Sequence, residues 1–184
     1  DHLIVPPLLQ STSEPGSVVV QQRQLAMLKR QVDRLTTLVV EMLDVSRITG
    51  GGLQLSLGPV DLRDVVRQVL DRFDLEIQRS HVTLTVNAPD PAPGIWDAAR
   101  IDQVMTNLIS NALKYGAGRP IEVSVRVEAS QAVVVVRDHG IGIPEDEQSK
   151  IFGPFAPVLA ATHHAGLGLG LWISQKIVQA SGGR

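Results

Sequence analysis

Leu25, Leu28, Val32, Leu35, Val39 and Met42 fall alternately three and four residues apart, so the stretch from about Val20 to Ile48 is expected to be a helix with a heptad-like apolar seam. The seam covers three heptads and suits a helical hairpin or a dimer bundle, with Arg23, Lys29, Arg30 and Arg34 on its wet side. Ahead of it, prolines, a Ser-Thr-Ser run and Glu14-Pro15-Gly16 punctuate against a long helix and leave room for a short turn around Leu8 and Leu9. Gly50-Gly-Gly52 closes the helix and forms a short hinge.

Beyond the hinge the pattern changes. Leu53 to Leu57 alternates like a strand, and Gly58-Pro59 turns the chain into a helix from near Asp61 to about Ser80. Val82 to Val86 reads as a second strand and Asn87 to Gly94 as a proline-rich loop. Asp97 then caps a helix that ends at Gly116. That helix organises the rest: Ile101, Val104, Met105, Leu108, Ile109 and Ala112 make one apolar face, and Arg100, Gln103, Asn107, Asn111 and Lys114 make a polar strip beside it. Ile121 to Glu128 and Ala132 to Val136 read as a hairpin, residues 138–166 are loop-rich, and a last helix runs from about Leu167 to Ala180. The expected class is α+β. Residues 1–52 form a helical hairpin or bundle segment, and residues 53–184 form an α/β sandwich with one mixed sheet covered by helices on one face.

Composition narrows the functions open to this fold. The 184 residues are 43% hydrophobic and 20% charged, and the net charge of −2 gives no electrostatic footprint for nucleic acid. The absence of cysteine removes disulfides and thiolate chemistry, and is compatible with a reducing, cytoplasmic setting. No apolar run reaches the roughly 18 residues of a membrane helix, so direct membrane contact is not expected of this segment, and any anchor lies outside it. Starting at Asp1 and stopping at Ser181-Gly-Gly-Arg184 just after a helix, the sequence reads as an excerpt of something longer.

Two glycine-rich stretches follow the organising helix. Asp138 stands at the end of an apolar strand, and its carboxylate can accept from the exocyclic amine of adenine while disfavouring the carbonyl of guanine. Gly140 and Gly142 lack the Cβ that would keep a base or phosphate from the backbone, although a plain Asp-Gly turn explains that motif about as well. Gly166-x-Gly168-x-Gly170 opens into a helix, where free N–H groups and the dipole favour phosphate. Its spacing differs from the dinucleotide fingerprint, and a loop precedes it rather than a strand. His2, His81, His139, His163 and His164 have no metal-ligand company in the sequence.

Taken together, Asn107-Leu-Ile-Ser-Asn111-Ala-Leu-Lys-Tyr, Asp138-x-Gly140-x-Gly142-Ile, Ile151-Phe-Gly-Pro-Phe155 and Gly166-Leu-Gly168-Leu-Gly170-Leu171 resemble the N, G1, F and G2 boxes of the sensor histidine kinases of two-component systems. Leu43-Asp-Val-Ser-Arg47 and Pro59-Val-Asp-Leu62 look like the second dimerisation helix and its junction to the ATP-binding domain. The resemblance implies a Bergerat-type ATP-binding fold, ATP and Mg²⁺ as ligands, a homodimer through the helical region, and a response-regulator receiver domain as partner. Asn111 would bind Mg²⁺, with Asn107 and Lys114 near the phosphates and Tyr115 beside the nucleotide. Asp138 would hold the adenine amine, and Gly140, Gly142 and Ile143 would line the base. Gly166, Leu167, Gly168, Leu169, Gly170 and Leu171 would cradle phosphate, and Phe152 and Phe155 would pack a mobile lid.

The sequence also departs from the family's pattern. His2 has Pro7-Leu8 at the offsets of the H box, yet Leu3 replaces the acid, Val5 the usual Arg and Pro6 the usual Thr or Asn. A register that places the phosphoacceptor upstream of Asp1 fits better than His2. Ala156 follows the second lid phenylalanine where a basic residue is often found, and the strand expected after Gly183-Arg184 is missing. Two alternatives to the kinase remain open: a pseudokinase signalling by lid closure, and an ATPase of the same fold. The hydrolysing relatives are expected to carry Glu four residues before the metal-binding Asn, and here that position is Asn107, which lacks the proton-accepting carboxylate.

Overall fold

The structure is a computed structural model that describes residues 15–50, 52–156 and 167–184. Its helices and strands run α1 (Pro15–Thr49), β1 (Gly58–Asp61), α2 (Leu62–Arg79), β2 (Leu84–Asn87), β3 (Pro93–Trp96), α3 (Ala98–Tyr115), β4 (Ile121–Glu128), β5 (Gln131–Asp138), α4 (Glu145–Gln148) and α5 (Gly170–Ala180). The chain divides into two compact units after Val40. His2, the Leu8–Leu9 turn, Gly166 and the His163–His164 pair lie outside the described residues.

Helix α1 begins at Pro15, inside the stretch expected to oppose it, because proline at a first helical position gives up an N–H that has no partner there. In the first unit the seam faces solvent: Leu25, Leu28, Val32, Leu35 and Val39 are all more than half exposed.

The second unit grows from two helix starts. Asp61 caps α2, accepting from Arg63 N and also from Ala92 N across the chain, both at 3.0 Å. Asp97 caps α3, accepting from Arg100 N at 3.1 Å and from Ser56 N at 2.8 Å. Between these acids lies the antiparallel ladder β1–β3, with Gly58 opposite Trp96 and Asp61 opposite Pro93. Each cap thus starts a helix and ties down a distant loop.

Leu53–Leu57 is not a strand. Leu53 and Leu55 are half-buried and Ser56 N goes to Asp97, so the alternation marks one covered side without a strand to pair with. The paired segment is Gly58–Asp61, and its partner β3 begins in the last two residues of the stretch expected to be a proline-rich loop; both are edges of a two-stranded ladder, where proline is tolerated. The expected mixed sheet is β2-β4-β5, with β2 parallel and β5 antiparallel to β4, and the β1–β3 ladder stands apart from it. Ile121, Val123 and Val125 point from β4 into the core, while Glu122 and Arg126 face out, so helices cover one face.

Two apolar clusters meet at α3. The larger packs Val66 and Val69 of α2 with Met105 and Ile109 of α3 onto the sheet. The smaller joins Val104 of α3 to Leu169, Trp172, Ile173 and Ile177, with Val45, Ile48 and Leu53 against them. Leu108 touches both. Buried apolar area at about 25 cal/mol per Å² makes these clusters the main source of the unit's stability.

Candidate functional site

The site is built at the C-terminal half of α3, where the inward residues are committed to the two clusters and the polar strip is left at the surface between them. From one side comes α5. A Cβ at Gly170 would lie 2.2 Å from Asn107 Oδ1, so glycine lets this helix start against the amide without displacing it. Asn107 Nδ2 donates to Ser174 Oγ at 2.9 Å, one turn further along α5. Asn107 Oδ1 is 3.5 Å from Asn111 Nδ2, at the edge of hydrogen-bonding range. With those amide orientations Asn111 Oδ1 has no protein partner among the described residues.

From the other side comes the loop after β5. A Cβ at Gly140 would meet Tyr115 O at 2.1 Å and Gly116 Cα at 2.7 Å, so the loop rests directly on the last turn of α3. Ile141 N donates to Tyr115 O at 3.2 Å, and Gly140 N donates to Asp138 Oδ1 at 2.9 Å, which leaves Oδ2 of the exposed Asp138 without a partner among the described residues. Lys114 Nζ sits 4.7 Å from the centre of the Tyr115 ring, a cation–π contact. Gly142, with φ of +72°, has open space around its missing Cβ.

The structure therefore gathers Asn107, Asn111, Lys114, Tyr115, Asp138, Gly140 and Gly170 around one helix end. Gly168 has φ of +68° and backs onto Ala156, so Leu167–Leu169 is loop and α5 starts at Gly170, three residues later than the periodicity predicts. Leu169 is fully buried in the smaller cluster and Leu171 is half-buried. Ile143, Phe152 and Phe155 are exposed, and Phe155 has φ of 58°.

Three positions carry weight that the sequence reading did not assign. Ser174 is a buried hydroxyl on the apolar face of α5, and a polar residue four beyond Gly170 was the signal for it. Arg119 donates through Nη1 to His139 O at 3.0 Å and to Gly140 O at 3.5 Å. Asp44, only 2% exposed, accepts from Arg100 Nη1 and Gln103 Nε2, both at 2.7 Å. Burial pushes the Asp97 carboxyl up, but the N–H groups of Ser56, Arg100 and Ala99 together with the Arg100 charge outweigh it and hold the group below the ordinary aspartate value.

The donor set suits a magnesium–nucleotide pair. Among the described residues there is no cluster of three acidic, histidine or cysteine side chains able to hold a metal by itself. A single amide oxygen with no partner among the described residues fits Mg²⁺, which keeps several waters and takes most of its remaining ligands from phosphate.

Comparison with known proteins agrees with this geometry. Residues 96–184 match the family described as histidine kinase-, DNA gyrase B-, and HSP90-like ATPase. The match begins at Trp96 and takes in α3, the loop after β5 and α5. The chain's relatives are sensor histidine kinases. The chain is 34% identical over 172 residues to the signal transduction histidine-protein kinase BarA of Escherichia coli strain K12, an alignment covering 89% of this chain and 19% of BarA. It thus spans about a fifth of the length of that relative. The structure of the Acinetobacter baumannii histidine kinase AdeS is similar with a TM-score of 0.70 at 25% identity, over 92% of this chain and 77% of AdeS. Full-length ShkA in complex with AMPPNP gives a TM-score of 0.73 at 26% identity, over 88% of this chain and 34% of ShkA. The likeness to histidine kinases therefore extends well beyond the family match. No helix among the described residues is long and apolar enough to cross a membrane.

Proposed function

We propose that residues 53–184 are the catalytic domain of an ATP-dependent protein-histidine kinase, and that residues 1–52 are part of its dimerisation and phosphotransfer helices. The observation that carries this reading is the state of Asn107. Its amide is bonded to Ser174 and wedged against Gly170, four residues before Asn111, where a hydrolysing enzyme of this family would need a carboxylate to polarise water. The site can hold ATP without an obvious base for its hydrolysis.

Asn111 Oδ1 would hold Mg²⁺, which when bound offsets charge on the phosphates. Lys114, about one helical turn beyond Asn111, supplies positive charge on the same side, and Oδ2 of Asp138 takes the adenine amine. A histidine upstream of Asp1, in preference to His2, attacks the γ-phosphorus with its neutral imidazole lone pair; the bond to the β-phosphate oxygen breaks and ADP leaves. A response-regulator aspartate is the onward acceptor. The exposed seam from Leu25 to Met42 supports a homodimer through the helices, since apolar side chains at heptad spacing that all face solvent in one chain are covered in a bundle.

The test uses a chain extended upstream to include a phosphoacceptor histidine. Acid-labile label from γ-labelled ATP, with phosphate release far slower than label transfer, is the expected result. Rapid steady-state phosphate release that survives removal of every upstream histidine would make the domain an ATPase. Light scattering on the same chain is expected to give a dimer.

A further inference from the structure

We infer that Arg119 is a positioning residue for base recognition: by gripping the backbone of His139 and Gly140 it holds the Asp138 carboxylate in the direction that reads the adenine amine. The inference deepens the proposed function and rests on its assignment of Asp138. Arg119 follows a tight turn in which Ala117 and Gly118 both have positive φ, at 51° and +74°, and its own N–H closes that turn onto Gly116 O at 2.9 Å. The turn is thereby fixed to the end of α3, and the Arg119 side chain reaches back over the loop after β5. Its Nη1 meets the two carbonyls that directly follow Asp138, at 3.0 and 3.5 Å.

The consequence for Asp138 is geometric. Its Oδ1 is held by Gly140 N at 2.9 Å, so the direction of Oδ2 depends on where the Gly140 peptide sits. That peptide has contact with α3 on one side, through Tyr115 O and Gly116, and has Arg119 on the other. A second tether acts one residue earlier, where His139 Nε2 lies 2.9 Å from Glu122 Oε1 of β4. Arg119 thus adds a side-chain tether, at the carbonyls of His139 and Gly140, to the backbone contact that already joins the loop to the helix end. Among the described residues the hydrogen-bond partners of Arg119 are Gly116, His139 and Gly140, none of them assigned to phosphate, so its expected influence is on the base.

That expectation gives the test. Binding of Mg²⁺-ATP and Mg²⁺-ITP is measured by calorimetry for the parent, Arg119→Ala, Arg119→Lys and Asp138→Ala. ITP carries a carbonyl where ATP carries the amine, and shares everything else that the phosphate side could contact. The parent is expected to prefer ATP. Arg119→Ala is expected to weaken ATP about five- to tenfold, equivalent to roughly 1–1.4 kcal/mol, to leave ITP within about twofold, and to add nothing further in the Asp138→Ala background. Arg119→Lys, which keeps a donor but loses the planar fork, is expected to fall between. An equal loss for both nucleotides would make Arg119 a general structural residue and overturn the inference. An unchanged ATP preference in Arg119→Ala, with that preference lost in Asp138→Ala, would overturn it while sparing the role of Asp138. A parent that shows no ATP preference, or an Asp138→Ala variant that keeps it, would overturn both.

Discussion

The two ends of α3 both present polar side chains, yet they are used in opposite ways. At the N-terminal end Arg100 and Gln103 are spent on Asp44 at 2.7 Å each, and Asp102 takes Arg72 Nη2 through both oxygens at 2.8 Å. At the C-terminal end Asn107 is held by Ser174, but among the described residues Asn111 has only a 3.5 Å approach to Asn107, and Lys114 rests on the Tyr115 ring. One end is saturated with short, charge-assisted contacts and the other keeps hydrogen-bonding capacity in reserve. A rigid anchor at one end is what lets the other hold open polar groups in fixed positions without closing on them.

The largest effect should come from breaking the anchor. Asp44→Ala leaves Arg100, whose side chain is 16% exposed, without its carboxylate partner, and removal of one member of a buried pair costs about 3 kcal/mol. Urea denaturation is expected to show that loss, while nucleotide affinity of the folded protein stays within about twofold. Asn111→Ala should do the reverse, changing stability by about 0.5 kcal/mol or less and abolishing the Mg²⁺ dependence of nucleotide binding. If Asp44→Ala weakened binding as much as Asn111→Ala, the division of the helix into anchor and working half would fail.

Next in size is the contact that brings α5 to the working half. Gly170→Ala adds a methyl 2.2 Å from Asn107 Oδ1, and overpacking of this kind costs about 1–3 kcal/mol even though alanine favours a helix. Thermal denaturation of Gly170→Ala, Asn107→Ala and the double variant is the measurement. The double variant is expected to be more stable than the sum of the two single losses, because removing the amide makes room for the methyl.

The two halves were not equally legible in the sequence. The helix itself, its Asp97 cap and its apolar face follow from a 3.6-residue period over eighteen residues, which few other structures can imitate. The polar strip was visible too, but period alone cannot say that Arg100 and Gln103 turn to α1 while Asn107, Asn111 and Lys114 do not. That division depends on Asp44, 56 residues before Arg100, and no local pattern encodes a contact at such separation. At Gly140 and Gly170, read in the sequence as room for a ligand, the missing Cβ also makes room for α3: a Cβ would run into the Tyr115 carbonyl at one and the Asn107 amide at the other. The β1–β3 ladder was hidden for a different reason, since its prolines at Pro59 and Pro93 suppress a strand reading that only the tertiary pairing restores. Ser174 was hidden by its company, being one hydroxyl among the apolar residues of α5.

Acid should loosen the anchored end before the working end. The Asp97 carboxyl lies below its ordinary value in the folded chain because the N–H groups it accepts and the Arg100 charge outweigh the effect of burial. Its stabilisation is therefore present above the unfolded value, ~3.9, and is lost as pH falls through the lower folded value. Asp97→Asn is expected to cost about 1 kcal/mol at neutral pH, as loss of a charged cap does, and to flatten the fall in stability below pH 4. Denaturation followed across pH 2–7 checks both. A variant with the same acid slope as the parent would show that other carboxylates control it.

The smallest effect tests the same end in the opposite direction. Glu41 stands one turn before Asp44 on α1, and burial first, then the Asp44 charge, push its carboxyl above the ordinary glutamate value. The folded chain then binds a proton more readily than the unfolded chain, so stability falls as pH rises from the unfolded value through the folded one. Above that window the Glu41 charge opposes the anchor that Asp44 makes with Arg100. Glu41→Gln removes that charge and keeps the shape, and is expected to raise stability by about 0.5 kcal/mol at pH 7 and by almost nothing at pH 3, where Glu41 is already protonated. A gain of equal size at both pH values would mean that the glutamine acts through packing or a new hydrogen bond, and that the anchor at Asp44 tolerates a second charge beside it.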